Sequence, residues 1–396
     1  MMKKNGQSVA AFLILVICVL LVGMLVGVQL CRRQIKESAK MQGYYPVSLV
    51  MKLNGYEVIR EDSEYVYQKN NGDISVIVEF DFKDELCTKN IYEFSLENAY
   101  ASVGNEMYVH EDALEAVLNC ELSWKGNKVI SEEISFYQHE WTECYPNLIA
   151  HAGGAVRTSE YNATYCNSIE ALAENYNLGH RVFEFDFYLT SDNQMAVVHD
   201  WNHQYNFNGD APSAEEWKNS VVYGQPEGEF TPMMLEELLD EMLVNKDMFV
   251  VTDTKFTDEQ SSIQFQAIYD AAMTRAPELL DRIIPQIYNE EMYDIIMSIY
   301  EFPSVIYTAY ATGASGDEII GFAKMHANIK VITAPIDDMR FDENKIGILH
   351  DYELLIYNHT IQTYQDLTKY KAKGIDGFYS GLLLPRDIEL YENSVY

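Results

Sequence analysis

Two carboxylates one residue apart, Glu184 and Asp186, lie in the run RVFEFDF over residues 181–187. If the run is a strand, alternation points both acids to one face, and buried like charges are costly unless they share a proton or hold a cation. Asp253, which ends MFVVTD (248–253), can add a third oxygen ligand. Three carboxylates without a cysteine suit one hard divalent ion, Ca2+ or Mg2+. Such an ion would neutralise the acids and polarise a phosphoryl oxygen. A solvated acidic pair on an edge strand has the same short pattern, so the pair alone does not decide.

His151 closes NLIAH (147–151), and His199 lies in QMAVVHDW. The ordinary pKa of imidazole suits both a general base and a general acid near neutral pH. One histidine would deprotonate an attacking hydroxyl, and the other would protonate the leaving alkoxide.

These side chains need strands to hold them. From Pro146 onward, short β-rich runs alternate with helical patterns. After the three runs above come IIPQIY (283–288), SVIYTAY (304–310), KVITAP (330–335), ELLIYN (353–358) and DGFYS (376–380). Eight such runs predict an α/β fold, a (β/α)8 TIM barrel over 146–396. A doubly wound open sheet is the second choice, but no glycine-rich dinucleotide fingerprint follows a strand. Barrel chemistry sits at the C-terminal ends of strands. His151, Glu184, Asp186, Asp253 and Gln286 all fall there, and Lys255 follows two residues after Asp253.

The charge balance supports a cation. The chain has 28 basic and 61 acidic residues, a formal net charge of −33. That excludes nucleic acid as a partner held through its phosphates. An anionic phosphodiester would need a bound cation or a local basic group to offset the field.

Two regions precede the barrel. Ser8–Leu30 carries no charge and is long enough to cross a bilayer as a helix. No small-residue cleavage site follows, so residues 1–37 read as a short tail and a single-pass anchor (span 8–30) in the cell membrane. Lys3 and Lys4 precede the span while Arg32, Arg33 and Lys36 follow it, so flanking charge does not set its direction. The short leading tail favours an extracellular catalytic domain.

Residues 38–140 read as a small α+β domain with two similar stretches, Tyr44–Gln68 and Met107–Ser131. Each has a short strand, a helix-spaced apolar pattern (Val47, Leu49, Val50, Leu53; Leu114, Val117, Leu118), a turn and two short strands. This pattern resembles the small repeat of copper amine oxidase N-terminal-like domains, which implies a spacer or wall-contact module. His110 and His139 are isolated and read as surface or satisfied histidines. Cys87, Cys120, Cys144 and Cys166 form no CxxC pair, which argues against a zinc cluster and leaves a disulfide open.

The barrel region also resembles a family. IAHAGG (149–154) followed by NSIEALAENYNLGHRVFEFDFYLTSDNQMAVVHDW (167–201) resembles the signature of the glycerophosphodiester phosphodiesterases. FTPMMLEELL (230–239), VVTDTK (250–255), YNHTIQ (357–362) and GIDGFYSG (374–381) resemble its later segments. The resemblance implies His151 and His199 as acid/base residues, Glu184, Asp186 and Asp253 as metal ligands, and Lys255 near the phosphate. It implies hydrolysis of glycerophosphodiesters, or of related glycerol-phosphate lipids or polymers, to an alcohol and glycerol phosphate. A neighbouring hydroxyl would attack phosphorus first, and water would then open the cyclic product. The substrate would be a phosphodiester small molecule or a lipid head group. A phospholipase-C-like cyclising lyase and a catalytically degenerate surface binding protein are the alternatives. The sequence departs from the family pattern at Ala152, where Arg is usual, at Cys166, where Glu is usual, and at Gly381, where an acid is usual. Asp253 stands where Glu is commoner. Because Ala152 carries no charge, Arg157 or Lys255 would have to hold the phosphate instead, and Gln286 is a further candidate for binding substrate.

Overall fold

The structure is a computed structural model. It describes residues 42–61, 65–71, 74–104, 106–118, 120–133, 141–143, 147–158, 160–201, 209–385 and 387–388. The expected span 8–30, Cys18, Cys31, His139 and Cys144 lie outside these residues. Among the described residues no helix is long and apolar enough to cross a membrane. The chain divides into two compact units, Met1–Ile134 and Ser135–Tyr396.

In the first unit both similar stretches share the order strand, helix, strand, strand. The first runs through Tyr44–Pro46, Val47–Leu53, Glu57–Glu61 and Tyr65–Asn71. The second runs through Glu106–His110, Glu111–Leu118, Cys120–Lys125 and Lys128–Glu133. The leading strands of the two copies pair antiparallel, Tyr44 opposite His110 and Pro46 opposite Tyr108. Val47, Val50 and Met51 form the buried stripe of the first helix. Leu49 and Leu53, counted with that stripe from the sequence, are 41% and 49% exposed instead. The spacing 47, 50, 51 is the one a 3.6-residue turn keeps on one face. Gly126 turns the Cys120–Glu133 hairpin with φ +65°.

The second unit is the predicted barrel. Its strands are β1 (Leu148–Ala150), β2 (Val182–Leu189), β3 (Phe249–Asp253), β4 (Ile283–Ile287), β5 (Val305–Thr308), β6 (Ile329–Pro335), β7 (Leu355–His359) and β8 (Gly377–Ser380). All neighbours pair parallel, and β1 pairs with both β2 and β8, so the sheet closes. The helices between successive strands are α1 (Ile169–Asn177), α2 (Leu235–Val244), α3 (Glu259–Arg275), α4 (Glu290–Ile299), α5 (Gly316–Ala323), α6 (Glu343–Asp351) and α7 (Tyr364–Lys371). Side-chain caps start most of them: Ser168, Asp258, Asn289, Ser315, Asp342 and Thr363 each accept a backbone N–H of the first turn.

The barrel interior changes character along the strands. Val182, Phe249, Val251, Ile284, Ile306, Val331 and Tyr357 form an apolar floor with Trp141. Trp141 packs edge-on to Tyr357 and donates its indole N–H to Ser304 Oγ at 2.6 Å. Gly377 makes room for Tyr357, because a Cβ there would lie 2.4 Å from that ring. One step up each strand the inward residues turn polar. Gln286 Oε1 accepts hydroxyls from Thr308 at 3.2 Å and Tyr379 at 3.0 Å. The top layer, at the C-terminal ends, carries the charges.

His180, in the loop entering β2, is buried and uncharged, with Nε2 against the Leu383 carbonyl at 3.1 Å. Burial pulls its pKa from 6.5 down to about 4. The unfolded chain therefore takes up this proton first as pH falls. The stability involved is fully present above pH 6.5 and is lost between pH 6.5 and 4, by up to about 1.4 kcal/mol per pH unit. Urea midpoints across that window should fall less steeply for His180→Leu than for the native chain, and parallel slopes would contradict the assignment.

Candidate active site at the barrel mouth

Strand β2 supplies the first two acids. In VFEFDFYL the inward residues are Val182, Glu184 and Asp186, while Phe183, Phe185 and Phe187 pack outward in the buried layer beneath the helices. Strand β3 ends on Asp253, level with Asp186 in the register. Ligand oxygens of Glu184, Asp186 and Asp253 all lie within 4.8 Å of one another, and all three residues are buried.

Each acid is held from outside the strands. Glu184 Oε2 accepts the Ala152 N–H at 2.8 Å. Asp186 Oδ2 accepts from Asn167 Nδ2 at 2.9 Å, and Asn167 Oδ1 takes the Asp186 N–H in return. Asp253 accepts the Tyr288 hydroxyl and, at 3.4 Å, the Tyr310 hydroxyl. Lys255 Nζ sits between two of them, 2.5 Å from Asp186 Oδ1 and 2.5 Å from Asp253 Oδ2.

The electrostatics follow from this crowding. Burial, with Asp186 and Asp253 beside it, pushes the Glu184 carboxyl well above the usual carboxylate range. Burial pushes Asp186 the same way, but the Lys255 ammonium overcomes it and holds that carboxyl below its ordinary value. Burial also disfavours the Lys255 charge, yet Asp186 and Asp253 raise its pKa above the usual lysine value. With all three carboxylates ionised, the one ammonium would leave two negative charges in a buried pocket, which a bound cation would offset. Oxygens spread over 4.8 Å can all reach one ion at about 2.3–2.6 Å. The donor set is all oxygen, so the residues fit one hard divalent cation.

Both candidate histidines stand at this mouth. His151 follows β1 in a short turn, with Nε2 3.8 Å from Glu184 Oε2 and Nδ1 3.3 Å from Thr360 Oγ1. Its ring meets Tyr165 edge-on at 4.8 Å. Burial lowers its pKa, so the ring is held neutral. The turn HAGG depends on its glycines: a Cβ on Gly154 (φ +88°) would lie 2.4 Å from Asn175, and one on Gly153 (φ +82°) 2.8 Å from Phe185. His199 is placed by the bond from Val198 N to Asp186 O at 2.8 Å. Its Nδ1 lies 2.8 Å from Asp200 Oδ2, and its side chain is 48% exposed. A carboxylate accepts only, so Nδ1 carries the proton and Nε2 is the working nitrogen.

Other candidates fall elsewhere. Gln286 Oε1 is taken up by the Thr308 and Tyr379 hydroxyls, and Tyr288, two residues further along the same inward row of β4, is the residue that reaches Asp253. Arg157 is committed to structure: its guanidinium contacts Glu174, Asn175 and the carbonyls of Ala155 and Leu382 at 3.0–3.1 Å. Cys166 packs in an apolar cluster with Trp201, Trp217 and Phe230, and its thiol donates to Ala163 O at 3.3 Å. Cys87 and Cys166 are free thiols.

Sequence reasoning missed Tyr165, Tyr288, Tyr310, His359 and Thr360 at the mouth. Period-two continuation of the inward rows would have found Tyr288, Tyr310 and His359. The backbone gives a further mark of function that sequence does not show. Ala152, Tyr165, Asn167 and Lys255, all in contact with the site, have positive φ of 45–64°. Such strain in residues other than glycine collects at functional sites.

No family model matches this chain, and no curated protein does. Solved structures do. A phosphodiesterase from Oleispira antarctica, solved in complex with the product sn-glycerol-3-phosphate, is 17% identical, with a TM-score of 0.50. The match covers 63% of this chain and 97% of that one. A candidate glycerophosphodiester phosphodiesterase from Galdieria sulphuraria is 13% identical, also with a TM-score of 0.50, over 63% of this chain and 98% of that one. At these identities the likeness concerns the fold, and it spans nearly the whole length of both neighbours.

Proposed function

We propose that the barrel is a metal-dependent phosphodiesterase acting on glycerophosphodiesters or related glycerol-phosphate lipids or polymers. The observation that carries this reading is three buried carboxylates and two histidines converging on one strand-end mouth. The product bound to the Oleispira antarctica neighbour fits the same chemistry.

In this reading Glu184, Asp186 and Asp253 hold one divalent ion, Ca2+ or Mg2+. When bound, the ion supplies Lewis-acid charge stabilisation to a phosphoryl oxygen. The protein's own groups do the rest. Lys255 turns its ammonium from the acids to a phosphate oxygen, as the basic group where Ala152 offers none. Thr360 and Glu184 orient the His151 ring, and Asp200 fixes the His199 tautomer. The two imidazoles exchange one proton each with the attacking hydroxyl and the leaving alkoxide. Burial of the acids away from water strengthens these charge contacts over their worth in water.

The test is an activity screen of metals against glycerophosphodiesters and lysophospholipids, with chelator controls. Release of glycerol phosphate that stops on chelation and returns with Mg2+ or Ca2+ is expected. No hydrolysis with any metal supplied would leave a surface binding protein as the better reading. A cyclic phosphate that accumulates and persists would assign a lyase.

A further inference from the structure

His359 is a polar group at the mouth that the mechanism above does not use. His359 continues the inward row Leu355–Tyr357–His359 of β7, in which Tyr357 belongs to the barrel floor. It therefore points up the barrel into the same mouth as His151. Tyr379 lies between the two imidazoles, 6.2 Å from the His359 ring and 6.3 Å from the His151 ring. His359 Nε2 is buried and has no hydrogen-bond partner. A buried ring nitrogen left unpaired is costly, and at the mouth of a binding site a ligand can supply the partner.

Tyr310 meets this ring edge-on at 5.3 Å and is 47% exposed. It is tied to Asp253 by a long hydrogen bond of 3.4 Å. Burial, with His151 next to it, keeps the His359 ring uncharged by pulling its pKa from 6.5 down to about 4. A neutral imidazole is a poor partner for a phosphate oxygen. It suits a hydroxyl, which can both give and take a hydrogen bond. A quaternary ammonium group has no N–H and would leave Nε2 unpaired.

We propose that His359 and Tyr310 form the subsite for the hydroxyl-bearing alcohol of the phosphodiester, with His359 as its hydrogen-bond partner and Tyr310 beside it. The proposal rests on the phosphodiesterase reading and assigns the residues that would read the hydroxyls of the alcohol. Ala152 fits this division of labour, since the phosphate depends on Lys255 and the bound ion, and selectivity for the alcohol falls to the opposite side of the mouth.

Calorimetric binding of sn-glycerol 3-phosphate and of inorganic phosphate to the full chain, with Mg2+ supplied, tests it. His359→Leu should weaken glycerol 3-phosphate by about tenfold, the size of one good hydrogen bond, and leave inorganic phosphate unchanged. His359→Gln, which keeps a nitrogen near the Nε2 position, should restore most of the loss. Thermal melting checks the fold, and His359→Phe carries the same comparison if the leucine variant does not fold. Equal loss of both ligands, or no loss of glycerol 3-phosphate, overturns the proposal. Selective loss without recovery in the glutamine variant assigns the effect to ring volume and overturns the hydrogen-bond role. A native chain that binds neither ligand would instead sink the phosphodiesterase reading itself.

Discussion

Alanine at His151 or at His199 is expected to lower kcat by about 10²–10⁴-fold, the usual worth of a positioned general acid or base. The fold should survive in both cases. His199 is half exposed, and His151 lies in the turn after β1, touching Glu184, Thr360 and Tyr165 above the barrel floor. Neither replacement opens a cavity in the apolar floor, which is where truncation costs most. The loss should fall on kcat more than on KM, because proton transfer is an interaction of the transition state. If both rings act in the same step, the double variant should fall little below the worse single variant. Steady-state rates alongside thermal melts read all of this. Wild-type rates in either single variant would remove that histidine from the mechanism.

The barrel is legible in the sequence because its signal is periodic. Each strand run stands alone between helical patterns, and capping residues such as Ser168, Asp258 and Asn289 mark where the helices begin. The acids are legible for a related reason: E-x-D in a strand puts two carboxylates on one face, and parallel register sets Asp253 level with Asp186. Two kinds of feature are not legible. Arg157 reads as a phosphate ligand because a positive charge near an anion site looks useful. Whether a guanidinium is free depends on which carbonyls surround it, and here those belong to Ala155 and to the distant Leu382. Gln286 reads as a substrate ligand by its place near a strand end, and the Thr308 and Tyr379 hydroxyls that occupy its Oε1 come from β5 and β8, neighbours a linear sequence does not reveal. The positive φ at Ala152 and Lys255 is invisible too, since neither residue type favours it.

A divalent cation should raise the melting temperature of the barrel, and the rise should vanish when one acid of the triad is neutralised. The ion binds the folded triad and not the dispersed acids of the unfolded chain. At a free concentration of about a hundred times Kd it adds about 2.7 kcal/mol to stability. For a domain of this size that is a rise of several degrees, at about 2–4 °C per kcal/mol, well within calorimetric reach. Glu184→Gln should remove the rise while leaving the metal-free melting temperature unchanged or higher, because the metal-free site already disfavours a charge at that position. Asp253→Asn should remove the rise and also lower the metal-free value, since Lys255 then loses one of its two close carboxylates. Lys255→Met sharpens the assignment in the opposite direction. Its ammonium lies 2.5 Å from both Asp186 and Asp253 and competes with the ion for them, so its removal should tighten metal binding and enlarge the rise. A rise of equal size in the native chain and in Glu184→Gln would mean that the ion binds elsewhere on this strongly acidic protein, and the triad would lose its place as the metal site.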